Sequence, residues 1–262
     1  MTFNFHQIKY FVKHFFTAKR KGHGVHSPFA YRLCEEVFYN ENFFYDFEKL
    51  KNIRKELLSS KQLLEIEEFG AGSKTFKNNF RKVKDIAEKG ISTSRQSELF
   101  YKLINFLNAK HCLELGTSLG LNTLYFAQIA KTVTSIEGSK ALFDFASAVA
   151  EKNKVENIQF INAKFYEVLP KVLNDLPSLD LFYIDGNHTY EATLNYFKTA
   201  LEKTHNNSVF IFDDIYWSKG MTKAWEEIKQ HREVTLSVDA FYFGLIFFKK
   251  EVKEKRHLKL FV

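Results

Sequence analysis

The segment His111-Cys-Leu-Glu-Leu-Gly-Thr-Ser-Leu-Gly120 decides the fold of this 262-residue chain. A short apolar run leads directly into a turn that holds two glycines, and a helical pattern follows at about 121–130. In an open parallel sheet, ligands bind beyond the carboxyl ends of the strands, and the first strand-to-helix turn supplies backbone contacts. We therefore expect a parallel sheet with a ligand at this turn.

The segments that follow the turn repeat the same alternation. Apolar runs at 111–115, 132–136, 157–161, 179–184 and 208–212 alternate with helical patterns, which is typical of βαβ units in a parallel sheet with helices on both faces. The runs at 233–239 and 241–249 are almost contiguous. They are too close for a crossover helix, so the sequence predicts an antiparallel hairpin at the sheet edge.

The residues before this sheet have mainly helical patterns, at 29–39, 46–64, 76–88 and 95–108. We interpret residues 1–92 as a helical N-terminal extension or lid and residues 93–262 as the ligand-binding domain. The glycine-containing segment Glu68-Phe-Gly-Ala-Gly-Ser73 follows glutamates where a buried strand should be apolar. It is interpreted as a linker turn.

The first helix has an aromatic face and a basic flank. One face carries Phe5, Ile8, Phe11, Val12, Phe15 and Phe16, whereas Lys9, Lys13 and His14 lie off it. Such a helix can lie on a membrane surface or dock on the protein's own core, and we favour docking.

Charge and composition exclude several classes of protein. Hydrophobic residues at 45% and charged residues at 26% exclude a disordered or fibrous chain. The net charge of +7 is concentrated at the ends: residues 1–30 hold five bases and no acid, and residues 249–262 hold six bases and two acids. The remainder has a net charge of −2, so a nucleic-acid partner is not expected.

Cysteine use and hydropathy bear on the compartment. Cys34 and Cys112 are the two cysteines of the chain, too few for a disulfide framework. The sequence also shows no signal peptide and no apolar run of transmembrane length. We expect a cytoplasmic protein, and the sequence is compatible with a homodimer.

Three interpretations of the glycine turn compete. A dinucleotide turn needs G-x-G-x-x-G, but here Ser118 stands between Gly116 and Gly120, and Glu114 would repel a phosphate. A hydrolase elbow needs G-x-S-x-G, which Gly116-Thr-Ser118-Leu-Gly120 matches. That elbow normally follows several strands, however, whereas only helical patterns precede this one. The third interpretation is a cationic nucleotide without phosphates.

The third interpretation uses two glutamates on neighbouring strands. Glu114 can face an ammonium group, and Glu137, at the end of the next strand, can accept hydrogen bonds from both ribose hydroxyls. An acid about 20 residues after the glycine turn is the expected ribose anchor. The E-x-G-x-x-x-G turn and this acid resemble the class I S-adenosylmethionine-dependent methyltransferases.

This resemblance implies a fold and a cofactor site. It implies a Rossmann-like α/β fold, with a mostly parallel seven-stranded sheet that ends in the antiparallel hairpin. S-adenosylmethionine would contact the turn and the ends of the neighbouring strands through Glu114, Gly116, Thr117, Ser118, Gly120, Glu137, Gly138, Ala163, Lys164, Phe165 and Asp185.

Three carboxylates mark the ends of two later strands. Asp185 ends the run at 179–184, and Asp213 and Asp214 end the run at 208–212. Carboxylates that converge repel each other unless a cation joins them, and oxygen ligands suit Mg²⁺ or Ca²⁺. Residues 92–250 resemble the metal-dependent catechol and caffeoyl-coenzyme A O-methyltransferases, although Asp214 stands where that branch has Asn.

The resemblance implies a catalytic base three residues after Asp185, where this sequence has His188. Histidine can deprotonate a hydroxyl near neutral pH, and we predict that His188 and Asp185 are catalytic. Two structural alternatives stay open: His188 caps the next helix, or the pair Asp213-Asp214 caps its own loop.

We therefore expect a methyltransferase that methylates the hydroxyl of a small molecule. A cofactor-binding module without catalysis and a basic adaptor at a membrane or RNA surface remain as alternatives. His23 and His26 have no assigned role, although they combine with Cys34 in a less favoured zinc interpretation.

Overall fold

The computed structural model describes residues 4–19, 27–67 and 79–262. Its helices are α1 (Phe5–Thr17), α2 (Pro28–Leu33), α3 (Asp46–Ser59), α4 (Val83–Lys89), α5 (Ser94–Leu107), α6 (Leu121–Ala127), α7 (Lys140–Lys152), α8 (Phe165–Asp175), α9 (Tyr190–Leu201) and α10 (Lys219–Gln230). A π-helical turn, Cys34–Phe38, continues α2. The strands are β1 (Leu63–Glu65), β2 (Phe80–Lys82), β3 (His111–Leu115), β4 (Thr132–Glu137), β5 (Ile158–Asn162), β6 (Leu181–Ile184), β7 (Val209–Asp213), β8 (Leu236–Asp239), β9 (Phe243–Phe247) and β10 (Arg256–Lys259).

The chain divides into two compact units, of which the central unit is Glu41–Val168. Its strands β3, β4 and β5 are parallel, with β4 in the middle. The apolar run predicted at 111–115 is β3, and its residues from Cys112 to Leu115 are buried. This unit contains the glycine turn.

The terminal unit consists of the described residues up to Asn40 together with Leu169–Val262. Its strands lie in the order β10-β8-β9-β7-β6. β6 and β7 are parallel, whereas β9 runs antiparallel to both β7 and β8. Phe241, in the short connection from β8 to β9, has a φ of 67°. The hairpin predicted at the end of the chain is therefore present.

The predicted α/β class, with N-terminal helices and a mixed, mostly parallel sheet, is confirmed. Two details differ from the prediction. β10 pairs in parallel with β8 and adds a strand to the seven that were expected. The helical patterns at 46–64 and 76–88 include β1 and β2, which pair as an antiparallel hairpin. Strands of three residues are too short to show a period in the sequence. The predicted linker turn at 68–73 lies outside the described residues.

Helix α1 packs on the terminal unit, but only part of the predicted face takes part: the ring of Phe11 lies 5.1 Å from that of Phe241, and the ring of Phe15 lies 5.8 Å from that of Phe261. Its buried residues are Gln7 and His14, whereas Phe5 is 85% and Phe16 80% exposed. The reason is a set of polar partners that periodicity cannot reveal: Nε2 of His14 lies 3.0 Å from the carbonyl oxygen of Leu260. Within the described part of the chain, no helix has the length and apolar character that crossing a bilayer requires.

Candidate functional site

The glycine turn between β3 and α6 depends on left-handed backbone conformations. Gly116 has a φ of 96°, Ser118 of 51° and Gly120 of 78°. Glycine adopts such angles without steric cost. A Cβ on Gly120 would also stand 3.0 Å from the Cβ of Ala146 on α7. The amide of Gly116 donates to the carbonyl of Ile136, 2.9 Å away on β4, so the turn is anchored to the neighbouring strand.

Glu137, at the carboxyl end of β4, holds this turn in place. One carboxylate oxygen accepts a 2.9 Å hydrogen bond from the amide of Ser118, and the other accepts one of 2.9 Å from the amide of Ser139. The residue is 8% exposed. Each carboxylate oxygen has two lone pairs, so a carboxylate that binds two amides is also able to accept hydrogen bonds from the hydroxyls of a ligand.

Glu114 lies below the turn in a buried polar network. It is 0% exposed, and its carboxylate accepts hydrogen bonds from the hydroxyls of Thr123 and Ser135, the latter at 2.6 Å. The Thr117 hydroxyl lies 2.6 Å from that of Ser135. Buried carboxylates require such partners. The sequence analysis missed Thr123 and Ser135, because other polar residues, such as Asn122 and Thr134, stand beside them in the same elements.

The carboxyl end of β5 is hydrogen-bonded to the residues at the end of β4. The side-chain amide of Asn162 donates to the carbonyl of Gly138 at 3.0 Å and to the carbonyl of Glu137 at 2.8 Å. The backbone amide of Ala163 also donates to the carbonyl of Glu137, at 3.1 Å. Phe165 is half-buried, whereas Lys164 is exposed. The central unit thus brings together the predicted cofactor residues on β3, β4 and β5, with Asn162 as a further polar group that the sequence analysis missed.

The terminal unit contains the predicted acid–base pair. Oδ1 of Asp185 lies 3.6 Å from Nε2 of His188, and Oδ2 accepts a 2.9 Å hydrogen bond from the hydroxyl of Tyr183. Burial raises the pKa of Asp185, whereas the charge of His188 and hydrogen bonds to Tyr183 and Asp213 oppose that shift. An imidazole and a carboxylate in this arrangement can accept and stabilise a proton.

The structure bears on one alternative for His188. Helix α9 is capped by Thr189, whose hydroxyl accepts a 3.3 Å hydrogen bond from the amide of Ala192. His188 therefore does not supply the side-chain cap of this helix. Its ring centroid lies 6.4 Å from that of Trp217.

The predicted metal ligands are only partly assembled. Asp213 contributes to lowering the pKa of Asp185, and Asp214 has a φ of 52° with its amide donating to the carbonyl of Tyr242. Within residues 4–19, 27–67 and 79–262, no group of three or more His, Cys, Asp or Glu side chains is arranged to hold a metal ion. The described residues therefore show no assembled donor set, and a site for Mg²⁺ or Ca²⁺ stays a prediction.

The zinc interpretation concerns a different part of the chain. His23 and His26 lie outside the described residues. Cys34 is buried, and burial raises its pKa to about 11. A raised pKa disfavours the thiolate that binds metals.

Comparisons with known proteins agree with this geometry. Residues 113–215 match the model of a family described as a methyltransferase domain. Ribosomal RNA small subunit methyltransferase A of Wigglesworthia glossinidia brevipalpis is 33% identical over 82 residues, or 30% of this chain. The match spans 31%, about a third, of that curated relative's length.

Several solved structures share the fold. The O-methyltransferase TomG from Streptomyces achromogenes, solved with S-adenosylmethionine, is 18% identical to this chain with a TM-score of 0.53. The match covers 61% of this chain and 82% of the TomG chain. An O-methyltransferase from Bacillus cereus, solved with S-adenosylhomocysteine, is 16% identical with a TM-score of 0.54, covering 80% and 94%. A caffeoyl-CoA O-methyltransferase-like protein from Staphylococcus aureus is 16% identical with a TM-score of 0.55, covering 79% and 100%.

At these identities the solved structures establish the fold, and the family model establishes the domain. Residues 113–215 thus match a methyltransferase domain, and the fold that contains them is shared with solved O-methyltransferases.

Proposed function

We propose that this protein transfers the methyl group of S-adenosylmethionine to the hydroxyl of a small molecule. The observation that carries the proposal is the glycine turn, whose left-handed backbone is held by both oxygens of Glu137. The O-methyltransferases among the similar structures support a hydroxyl acceptor.

The cofactor would be held by the central unit. Gly116, which is half-buried, leaves the backbone of the turn accessible, whereas Gly120 is buried against Ala146 and shapes the turn. Glu137 accepts hydrogen bonds from the ribose hydroxyls. Glu114 places a carboxylate directly below the turn, and a buried negative charge favours a cationic ligand nearby. Gly138 and Ala163 are the proposed neighbours of the ribose and the adenine.

His188 is the proposed base of the reaction. When bound, S-adenosylmethionine supplies an electrophilic methyl group on a sulfonium sulfur. His188 accepts the proton of the acceptor hydroxyl as the oxygen forms its bond to the methyl carbon and the bond from carbon to sulfur breaks. Asp185, 3.6 Å from His188, stabilises the imidazolium that results. Positioning alone can supply effective molarities of about 10⁵–10⁸ M.

The described carboxylates do not gather a set of three ligands, and the proposed proton transfer is assigned to His188 and Asp185 alone. The predicted divalent ion is open to direct measurement. The test is methyl transfer after dialysis against a chelator, with and without added Mg²⁺. An activity that returns only with Mg²⁺ would restore the metal prediction.

Calorimetry with S-adenosylhomocysteine tests the cofactor site. Glu137→Ala removes the acceptor of two backbone amides, and Gly116→Val places a branched side chain at a φ of 96°. We expect both variants to lose binding. The exposed Glu156, on the loop before β5, provides the control Glu156→Ala. Unchanged affinity in both site variants overturns the cofactor assignment.

Transfer of a labelled methyl group tests the reaction itself. The acceptors are a panel of small hydroxyl compounds, with ribosomal RNA included because the curated relative is named for it. We expect transfer to a small hydroxyl compound and its loss in His188→Asn. Tight binding without any transfer would favour a non-catalytic cofactor-binding module, and transfer to RNA alone would refute the small-molecule acceptor.

A further inference from the structure

Helix α1 presents an apolar stripe to the solvent. The stripe consists of Phe5, Ile8, Val12 and Phe16, which are 85%, 47%, 48% and 80% exposed. Their spacing places them on one side of a helix. Monomeric proteins rarely leave such a contiguous apolar surface uncovered, and such surfaces mark interaction sites.

The opposite side of α1 fixes the stripe in its outward orientation. His14 contacts Leu260 and Asp239, at 3.0 and 3.3 Å, and the ring of Tyr10 stacks on that of Tyr216 with 4.7 Å between centroids. The helix also begins with a capping box at Asn4. The stripe is therefore a fixed surface of the terminal unit.

Basic residues surround this stripe. Lys9 and Lys13 are exposed on α1 itself, and residues 1–30 hold five bases and no acid. Just beyond α1, the main chain also pairs with the second basic end of the chain, because the amide of Lys19 donates to the carbonyl of Lys259 at 2.8 Å.

We propose that the stripe on α1 binds an anionic lipid surface. An amphipathic helix with aromatic residues on one side and lysines beside them lies in the plane of a membrane interface, and anionic lipids strengthen its binding. A second copy of the chain fits less well. A twofold contact through the stripe would bring the same lysines together, and α1 has no acid to pair with them. This inference does not depend on the proposed methyl transfer.

Cosedimentation of the full-length protein with vesicles tests the proposal. The vesicles are phosphatidylcholine alone, or phosphatidylcholine with about 30 mol % phosphatidylglycerol. We expect binding to the anionic vesicles, weakened by salt. Phe5→Ser with Phe16→Ser, and separately Lys9→Glu with Lys13→Glu, should each weaken it at least about tenfold.

Matched controls separate the stripe from general effects. Phe80→Ser removes a phenylalanine that is 60% exposed on β2, and Lys131→Glu with Lys171→Glu reverses two exposed charges elsewhere. Both controls should bind like the wild type, and circular dichroism shows whether each variant is folded.

Four outcomes overturn the proposal. The first is that the protein does not bind anionic vesicles, and the second is that it binds neutral and anionic vesicles equally well. The third is that the serine and glutamate variants of α1 are folded and bind anionic vesicles as tightly as the wild type. The fourth is a dimer in analytical ultracentrifugation that the double serine variant dissociates, since a second copy would then occupy the stripe.

Discussion

Replacing Gly120 by alanine tests whether the glycine turn is a fixed structural element. The φ of 78° at this position costs an L-residue about 1–2 kcal/mol. The added Cβ would stand 3.0 Å from the Cβ of Ala146, and overpacking of this kind costs about 1 kcal/mol or more. The reduced freedom of the unfolded chain offsets about 0.4–1 kcal/mol. We expect a net loss of about 2 kcal/mol in the free energy of unfolding.

Urea unfolding followed by circular dichroism measures this loss. Fluorescence is unsuitable, because both tryptophans, Trp217 and Trp225, belong to the terminal unit. Gly220→Ala is the matched control. Gly220 lies in α10, its added Cβ would meet atoms no closer than 3.5 Å, and alanine should stabilise this helix by about 0.5–1 kcal/mol.

The same variant should bind S-adenosylhomocysteine more weakly, because the turn that Glu137 holds would shift. The control should bind with the affinity of the wild type. A Gly120→Ala protein as stable as the wild type would refute the argument from left-handed backbone and close packing.

Three further substitutions test other contacts. Gly244→Ala would place a Cβ 2.5 Å from the indole ring of Trp225 on α10. We expect it to lower the free energy of unfolding, followed by tryptophan fluorescence, by about 1–3 kcal/mol. Thr123→Val removes a hydroxyl that donates to the buried Glu114. It should lower the free energy of unfolding in urea by about 1.5–3 kcal/mol, whereas Thr123→Ser, which keeps the hydroxyl, should retain most of the stability. His14→Ala should lower the free energy of unfolding by about 1–3 kcal/mol at neutral pH. Burial alone would raise the pKa of Asp239, but hydrogen bonds from His14 and a tyrosine hold this pKa below its usual range. Such a carboxylate stabilises the fold above its unfolded pKa, and this stabilisation is lost as the pH falls through the folded pKa. The deficit of His14→Ala should therefore shrink in acid, and a deficit independent of pH would contradict this account.

The parallel strands could be predicted because their signal is local. Strands buried on both faces form continuous apolar runs, and the run predicted at 111–115 coincides with β3. The positive φ angles of Gly116 and Gly120 likewise explain why the sequence has glycine at those positions. Fold class and the place of the turn therefore follow from neighbouring residues.

The support of the site could not be predicted, because it depends on contacts between distant residues. Ser135 reaches Glu114 across 21 positions, and Asn162 reaches the carbonyl of Gly138 across 24. In the sequence nothing distinguishes them from other polar residues of the same strands, such as Thr134 and Gln159. Only the register of β3, β4 and β5 brings them to the turn.

Helix α1 shows why periodicity identifies an amphipathic helix but not the side that docks. An apolar stripe predicts burial only when the opposite side has no better partner. Here the opposite side carries His14, whose partner Leu260 is 246 positions away, so polar and aromatic contacts orient the helix. Once those contacts are made, the stripe of Phe5 and Phe16 cannot reach the core of its own unit. Its apolar area then contributes nothing to folding and costs free energy in water. A sequence that places phenylalanine there, with lysines beside it, is consistent with an occupant outside the chain, and the vesicle experiment identifies that occupant as lipid or excludes it.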